Sequence, residues 1–449
     1  MRQAIDRDAL LYRDMTKRYI RMERGEGIYL YDQEGHRYID GCGGAAVVNI
    51  GHGVPEIAEA MARQARKATF IYSGLFANEP ATQLAGKLIE MAPAGMSKVL
   101  LLSGGSEATE TAVKVARQYH LERGNASKYK VIARRQSYHG NTLAALSLSG
   151  RIQWRRPFVP YLQDFPHIDP PYCYRCPYGK TYPSCGIACA GDLERTVEFE
   201  GPEYISAFIA EPIVGASLPG VAPPPEYYEI IRQICDKYDI LMISDETITG
   251  VGRTGLPFGI DHWGITPDII VTGKGLSGGY TPLAAVLVHE KIVEAIRRGS
   301  AIHTQGYTYA ANPLSATVGL AVLEYIEKRE LIERSAQMGT RLLQELDRLR
   351  GAGIVGDIRG RGLLVGIEFV RDPATREPFP AEAHVTSRIV DAALRRGLCI
   401  LPGMADAEGG TCGDQILLAP PFIITEDQIR EMADILAAAV GEVRDSVAA

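Results

Sequence analysis

No segment of this chain approaches the roughly 18 apolar residues of a membrane span. The opening Met1-Arg2-Gln3-Ala4-Ile5-Asp6-Arg7-Asp8 is charged and has no apolar core of signal-peptide length, so a cytoplasmic protein is expected. Charge of one sign is also missing. Lys and Arg number 48 against 54 Asp and Glu, a net of -6. The basic pairs Arg134-Arg135, Arg155-Arg156 and Arg297-Arg298 are scattered, which leaves no footprint for nucleic acid. The chain has no internal repeat or low-complexity tract. A nucleotide P-loop is excluded as well: Gly273-Lys274 follows an apolar run, but Gly275 stands where Ser or Thr is needed and the upstream glycine is absent.

What the chain does carry is a lysine set among glycines, Thr272-Gly273-Lys274-Gly275-Leu276-Ser277-Gly278-Gly279, directly after Asp268-Ile269-Ile270-Val271. A lysine at a strand end, among residues too small to cover it, is placed to form a covalent bond. Upstream, the run Ile240-Leu241-Met242-Ile243 ends in Ser244-Asp245-Glu246 and so puts a carboxylate where another strand finishes. Parallel strands ending side by side aim both groups into one crevice. Singly, each has a plain reading, a solvated loop lysine and a turn or cap aspartate. Together they are an amine that can condense with an aldehyde beside an acid that can keep a ring nitrogen protonated. That is the minimum equipment for pyridoxal phosphate (PLP) chemistry.

Such chemistry needs a phosphate site, and Ser103-Gly104-Gly105-Ser106-Glu107-Ala108 is the candidate. It follows Val99-Leu100-Leu101-Leu102 and precedes apolar residues at Ala108, Ala112, Val115, Ala116 and Tyr119, a helical period. Strand, glycine turn and helix start are the geometry in which free backbone N–H groups and the helix dipole hold a phosphate. The turn lacks Gly-x-Gly-x-x-Gly, so it is not a dinucleotide fingerprint.

In order along the chain come Gly25-Glu26-Gly27-Ile28-Tyr29-Leu30-Tyr31-Asp32, Tyr38-Ile39-Asp40-Gly41, Gly51-His52, Ser103 to Lys114, Ser137-Tyr138-His139-Gly140 and Ala210-Glu211-Pro212. Then follow Ser244-Asp245-Glu246-Thr247, Gly252-Arg253-Thr254-Gly255, the Lys274 segment, Gly306-Tyr307-Thr308-Tyr309 and Ala419-Pro420-Pro421. From about Gly25 to the C-terminus this series resembles the class III aminotransferases of PLP fold type I. The resemblance implies that Lys274 forms the Schiff base with the cofactor and serves as general base and acid, and that Asp245 keeps the pyridine nitrogen protonated. Tyr138 would stack on one ring face and Thr247, where the family usually has valine, would lie against the other. Gly105 and Ser106 would donate to the phosphate, and Thr308 would complete that site from a neighbouring subunit. Glu211 would stand on the substrate side, His139 would be a positioning or core histidine among the cofactor contacts, and Arg253 would make a structural ion pair.

The implied fold is α/β: a large domain with a mostly parallel sheet of the seven-stranded type flanked by helices, plus a smaller α+β domain. Residues 1–60 would form the N-terminal part of the small domain, 61–310 the PLP-binding domain, and 311–449 an interdomain helix and the rest of the small domain. After Ser315 the periodicity through Leu323 and Ile326 predicts the joining helix, and Leu363 to Phe369 reads as a strand. Thr425-Glu426-Asp427-Gln428 is a capping box for a final helix through Ile429, Met432 and Ile435.

Within an insertion at about 165–190, Cys173, Cys176, Cys185 and Cys189 give C-x2-C and C-x3-C spacing in a proline-rich, looped segment. In a cytosolic protein this favours metal, zinc or an iron–sulfur cluster, with disulfides or plain reduced thiols as the alternatives. Many class III relatives carry an arginine shortly before the final Gly-Asp, where it binds the acceptor's carboxylate. Ile400 to Asp414 contains none, which favours pyruvate over 2-oxoglutarate. The expected activity moves an amino group from a primary amine or ω-amino acid to an oxo acid by a ping-pong mechanism, in a homodimer or higher oligomer with shared sites. An aminomutase and a non-catalytic PLP-fold protein for metal binding or docking are the alternatives.

Overall fold

The computed structural model describes residues 9–403 and 413–447. Its main sheet has seven strands in the order Met96–Leu102, Ala284–His289, Ile269–Thr272, Leu241–Glu246, Ile205–Ala210, Lys130–Arg134 and His167–Ile168. Ala284–His289 runs antiparallel to both neighbours and the other pairings are parallel. Every residue of Ile205–Ala210, Leu241–Glu246 and Ile269–Thr272 is buried. That is the outcome for a strand covered by helices on both faces, and it is why these strands read as unbroken apolar runs. The architecture is the α/β fold the motifs imply, a large mostly parallel sheet with smaller sheets beside it.

The register brings the polar strand ends together. Ala210 pairs with Ser244, and Asp245 pairs with Val271, so Glu211, Asp245 and the Lys274 turn emerge at one edge. The helix Gly105–Glu122 starts at the same edge, directly after Met96–Leu102, and buries Ala108, Ala112, Val115, Ala116 and Tyr119 against the sheet.

A second sheet holds Met22–Glu26, Tyr29–Asp32 and Arg37–Asp40, with Leu398–Cys399 running parallel to the last of them. A third holds Val355–Arg361, Leu364–Phe369, Asp414–Leu418 and Leu401–Pro402. The beginning and end of the chain therefore share structure. The final helix is Glu426–Val447. Its capping box is formed: the Thr425 N–H donates to Gln428 Oε1 at 2.9 Å and the Gln428 N–H to Thr425 Oγ1 at 3.3 Å. The joining helix is Pro313–Lys328, two residues earlier than the periodicity gives. Asn312 Oδ1 caps it by accepting from the N–H groups of Leu314 and Ser315, and Pro313 fits the first helical position.

The cysteine insertion is less loop-like than its composition. His167–Ile168 completes the edge of the main sheet, and Cys189 sits in the first turn of the helix Ala188–Glu200, whose Leu193 and Val197 are buried. No helix of the described residues is long and apolar enough to cross a membrane.

Candidate active site

Lys274 follows its strand by two residues and sits in the left-handed region at φ 43°. A non-glycine residue there costs roughly 1–2 kcal/mol, a strain that persists only where the surroundings over-determine the conformation. Asn49 supplies part of that constraint: its Nδ2 donates to the Gly275 carbonyl at 2.9 Å, and a Cβ on Gly275 would meet the same nitrogen at 2.9 Å. Burial brings the Lys274 amine down to about 8, against the pull of the Asp245 and Glu211 carboxylates. Among the described residues the amine has neither hydrogen bond nor ion pair. A partly neutral, uncommitted amine is a nucleophile in waiting.

Asp245 is held on both oxygens. His139 Nδ1 donates to Oδ2 at 2.7 Å, while the Thr247 N–H and Oγ1 donate to Oδ1 at 3.0 and 2.6 Å. Burial alone would raise this carboxyl, but the His139 and Thr247 contacts prevail and hold it below its ordinary value. It is therefore an anion at neutral pH. Thr247 is half-buried, and its hydroxyl has the Asp245 carboxylate as its partner. Glu211 behaves oppositely: burial pushes it up, and its oxygens accept from the N–H groups of Tyr138 at 3.1 Å and Gly215 at 2.9 Å.

At the helix start, Gly104 is the N-cap with no side-chain cap, and the N–H groups of Gly105 and Ser106 have no carbonyl within the helix to bond. Thr247 Cγ2 would lie 3.0 Å from a Cβ on Gly105, and Ser106 Oγ would lie 2.6 Å from one on Gly140, whose φ is 135°. Side chains at these glycines would fill the space between turn and strand ends. Free N–H donors at one end, the Asp245 carboxylate at the other and an uncommitted amine between them fit the phosphate, ring nitrogen and aldehyde of PLP.

Not every expected residue joins this group. Thr308 is exposed on a turn. Arg253 is buried, but among the described residues it is not in an ion pair. Its Nη1 donates to the carbonyls of Leu363 at 3.1 Å and Pro420 at 2.5 Å, its guanidinium lies 4.6 Å from the Phe422 ring centre, and burial lowers it to about 9. Carbonyl dipoles from the smaller sheet region take the place of a carboxylate. Cys173, Cys176, Cys185 and Cys189 line one cavity and none is in a disulfide. A tetrahedral zinc with Zn–S near 2.3 Å needs ligand sulfurs about 3.8 Å apart. Among the described residues no three of these sulfurs come within 4.8 Å of one another. The part of the arginine-free stretch from Met404 to Cys412 lies outside the described residues.

Three residues beside the site gave no expectation. Asn49 carries a signal, since it stands just before the Gly51-His52 motif. Trp154 meets the Tyr138 ring edge to face at 4.9 Å, and Arg151 lies over Trp154 at 4.2 Å from its centre; nothing in their sequence context marks them.

This fold and this cluster define a PLP-dependent enzyme of fold type I. A sequence model of aminotransferase class III matches residues 12–440. The uncharacterized aminotransferase YodT of Bacillus subtilis is 40% identical over 439 residues, 98% of each chain. A diaminobutyrate–2-oxoglutarate transaminase of Halomonas elongata is 36% identical and covers 94% of this chain and 90% of its own. Among solved structures, an (S)-enantioselective ω-transaminase from Thermomicrobium roseum superimposes with a TM-score of 0.91 at 37% identity, over 98% of this chain and 97% of its own. The chain belongs to the class III aminotransferases, enzymes whose cofactor is PLP.

Proposed function

We propose that this aminotransferase takes an amino group from a primary amine or ω-amino acid and delivers it to a small oxo acid, pyruvate in preference to 2-oxoglutarate. The observation that carries the reading is the convergence of Lys274, Asp245 and the Gly105–Ser106 helix start at one sheet edge. PLP, bound there, supplies an aldehyde to capture the amine and a ring to accept electrons. The Lys274 amine, brought down to about 8, is basic enough to take the substrate Cα proton and acidic enough to return it. Asp245, locked as an anion by His139 and Thr247, sustains a positive charge at the ring nitrogen. Tyr138 covers one face of the ring and Glu211, fixed by two N–H donors, borders the substrate side.

Thr308 acts from a second copy of the chain. In support, the exposed side chains of Ile302 and Tyr309 flank it, Phe70 meets Tyr309 at 5.7 Å, and Tyr72, Leu75 and Phe76 extend the apolar surface. Patches of that kind mark subunit interfaces. The pyruvate preference rests on the absence of arginine between Ile400 and Asp414. The test is a panel of amines and ω-amino acids followed at the cofactor absorbance band, each donor then paired with pyruvate or 2-oxoglutarate. Loss of the band with donor and its return with pyruvate is expected. Turnover without any added oxo acid would indicate an aminomutase, and an unchanged band across the panel would refute the reading.

A further inference from the structure

Amino transfer at Lys274 makes no use of the cysteine segment, yet the fold gathers it. Cys173, Cys176, Cys185 and Cys189 line a single cavity of about 20 Å³, room for about one water-sized sphere. Its other walls are prolines, tyrosines, Ala188 and Lys180, and among the described residues neither a carboxylate nor a histidine lines it. Each of the other three thiols acts electrostatically on that of Cys189. Four sulfurs and no oxygen or nitrogen ligand form a soft donor set, which suits zinc or iron and not magnesium or calcium. The volume then chooses between them, because an iron–sulfur cluster is many atoms and the space takes one.

Two turns set the sulfurs around that space. The Gly179 N–H donates to the Cys176 carbonyl at 3.0 Å with Gly179 at φ 65°, so the chain reverses directly after Cys176-Pro177. Gly186 at φ 59° and Ile187 at φ 49° make a second reversal between Cys185 and Cys189. The Tyr178 hydroxyl donates to Asp192 Oδ2 at 2.7 Å, which fastens the first turn to the helix Ala188–Glu200 that carries Cys189. Charge is arranged to match. Cys189 is the second residue of that helix, whose start has no side-chain cap and no acidic residue in its first turn. The positive end of its dipole, with the Lys180 ammonium, offsets the negative charge left when four thiolates surround a divalent ion.

We propose that Cys173, Cys176, Cys185 and Cys189 bind one zinc ion in a tetrahedral, all-thiolate site, and that the ion stabilises the fold without entering the reaction. Binding converts the thiols to thiolates and releases their protons to solvent. Among the described residues no three of the sulfurs lie within 4.8 Å of one another, so zinc must draw them in to edges of about 3.8 Å. Each does so by rotation about χ1, the torsion that places a cysteine sulfur. All four positions around the ion are then filled by protein, the mark of a structural site. Its place in the fold fits that role. Arg175, between Cys173 and Cys176, pairs through Nε with Glu368 Oε1 at 2.6 Å, and the Tyr172 hydroxyl bonds the other oxygen. Glu368 is buried in the strand Leu364–Phe369, so the ion would hold the insertion against the sheet of the smaller region.

The experiment uses the PLP-loaded enzyme, kept reduced, and zinc itself as the probe. Elemental analysis should find one zinc per chain after dialysis against a weak chelator. A strong chelator should remove it and lower Tm by several degrees, with kcat kept within twofold, and zinc should restore Tm. Cobalt(II) in place of zinc should give the visible absorption of a tetrahedral thiolate site, at longer wavelength than the cofactor band. Cys176→Ser and Cys185→Ser should each retain less than a tenth of the wild-type zinc, and Cys399→Ser, whose thiol lies outside the cavity, all of it. Should the serine variants fail to fold, zinc content and the cobalt spectrum of the wild type decide alone. Less than half a zinc per chain in wild type reloaded with equimolar zinc would overturn the proposal. So would iron with inorganic sulfide in its place, a cobalt protein without that absorption, or folded serine variants that keep their zinc in full.

Discussion

Replacing Lys274 with methionine should abolish turnover and at the same time stabilise the cofactor-free protein. Methionine keeps the length of the side chain and leaves the φ of 43° unrelieved, so the change isolates the charge. Burial moves the amine from 10.5 to about 8, and at about 1.4 kcal/mol for each tenfold loss of proton affinity this amounts to about 3 kcal/mol at most. Relaxation and water entry lessen such a penalty in a folded protein, so about 1–2 kcal/mol is the expected gain. The pH dependence gives the sharper signature. Below pH 8 both folded and unfolded chains carry the ammonium and the folded one bears the full penalty. Between 8 and 10.5 the folded amine loses its proton while the unfolded one keeps it, so wild-type stability rises with pH. The advantage of Lys274→Met should therefore be greatest below pH 8 and fade toward 10.5. Thermal unfolding of the two apoproteins at a series of pH values measures it. No gain at pH 7, or a gain undiminished at pH 10, would refute the argument from a buried amine.

Thr247→Val removes a 2.6 Å hydrogen bond to Asp245, so the carboxyl should rise and activity should fail at a higher pH on the acid side, with kcat near neutrality reduced less than about tenfold; a kcat–pH profile displaced to lower pH would contradict this. Thr308→Ala should weaken PLP binding roughly 10- to 100-fold, the value of a hydrogen bond to a charged group. Mixed with Lys274→Ala chains it should regain tight binding in one site of each hybrid dimer, whereas no recovery on mixing would place Thr308 in its own chain's site. Of the four clustered cysteines in protein stripped of metal, iodoacetamide should modify exposed Cys173 first and Cys189 last, since burial, followed by the neighbouring thiols, pushes the Cys189 thiol up to about 12. Protection of all four cysteines together with no zinc or iron bound would contradict this order of reactivity.

The main sheet was legible because its inner strands are apolar on both faces and end abruptly in polar residues, so Asp245 and Lys274 marked their own positions. The Gly105 helix and the Thr425 capping box were legible for the same local reason, a turn signal next to a helical period. Contacts between distant segments were not. Arg253 is buried as its motif suggested, yet its partners are the carbonyls of Leu363 and Pro420, 110 and 167 residues away. Asn49 reaches Gly275 across 226 residues, and Trp154 reaches Tyr138 only because Gly150 closes onto Ser137. The cysteines were legible only as a spacing; helix Ala188–Glu200 and the turn at Cys173–Arg175 bring all four to line one cavity.

The most direct test of the account is borohydride reduction of the PLP-loaded enzyme followed by peptide mass spectrometry. One reduced pyridoxyl group per chain, on the peptide that contains Lys274 and absent in Lys274→Ala, is the result expected. Modification of a different lysine, or none in an enzyme that still transaminates, would contradict the central claim.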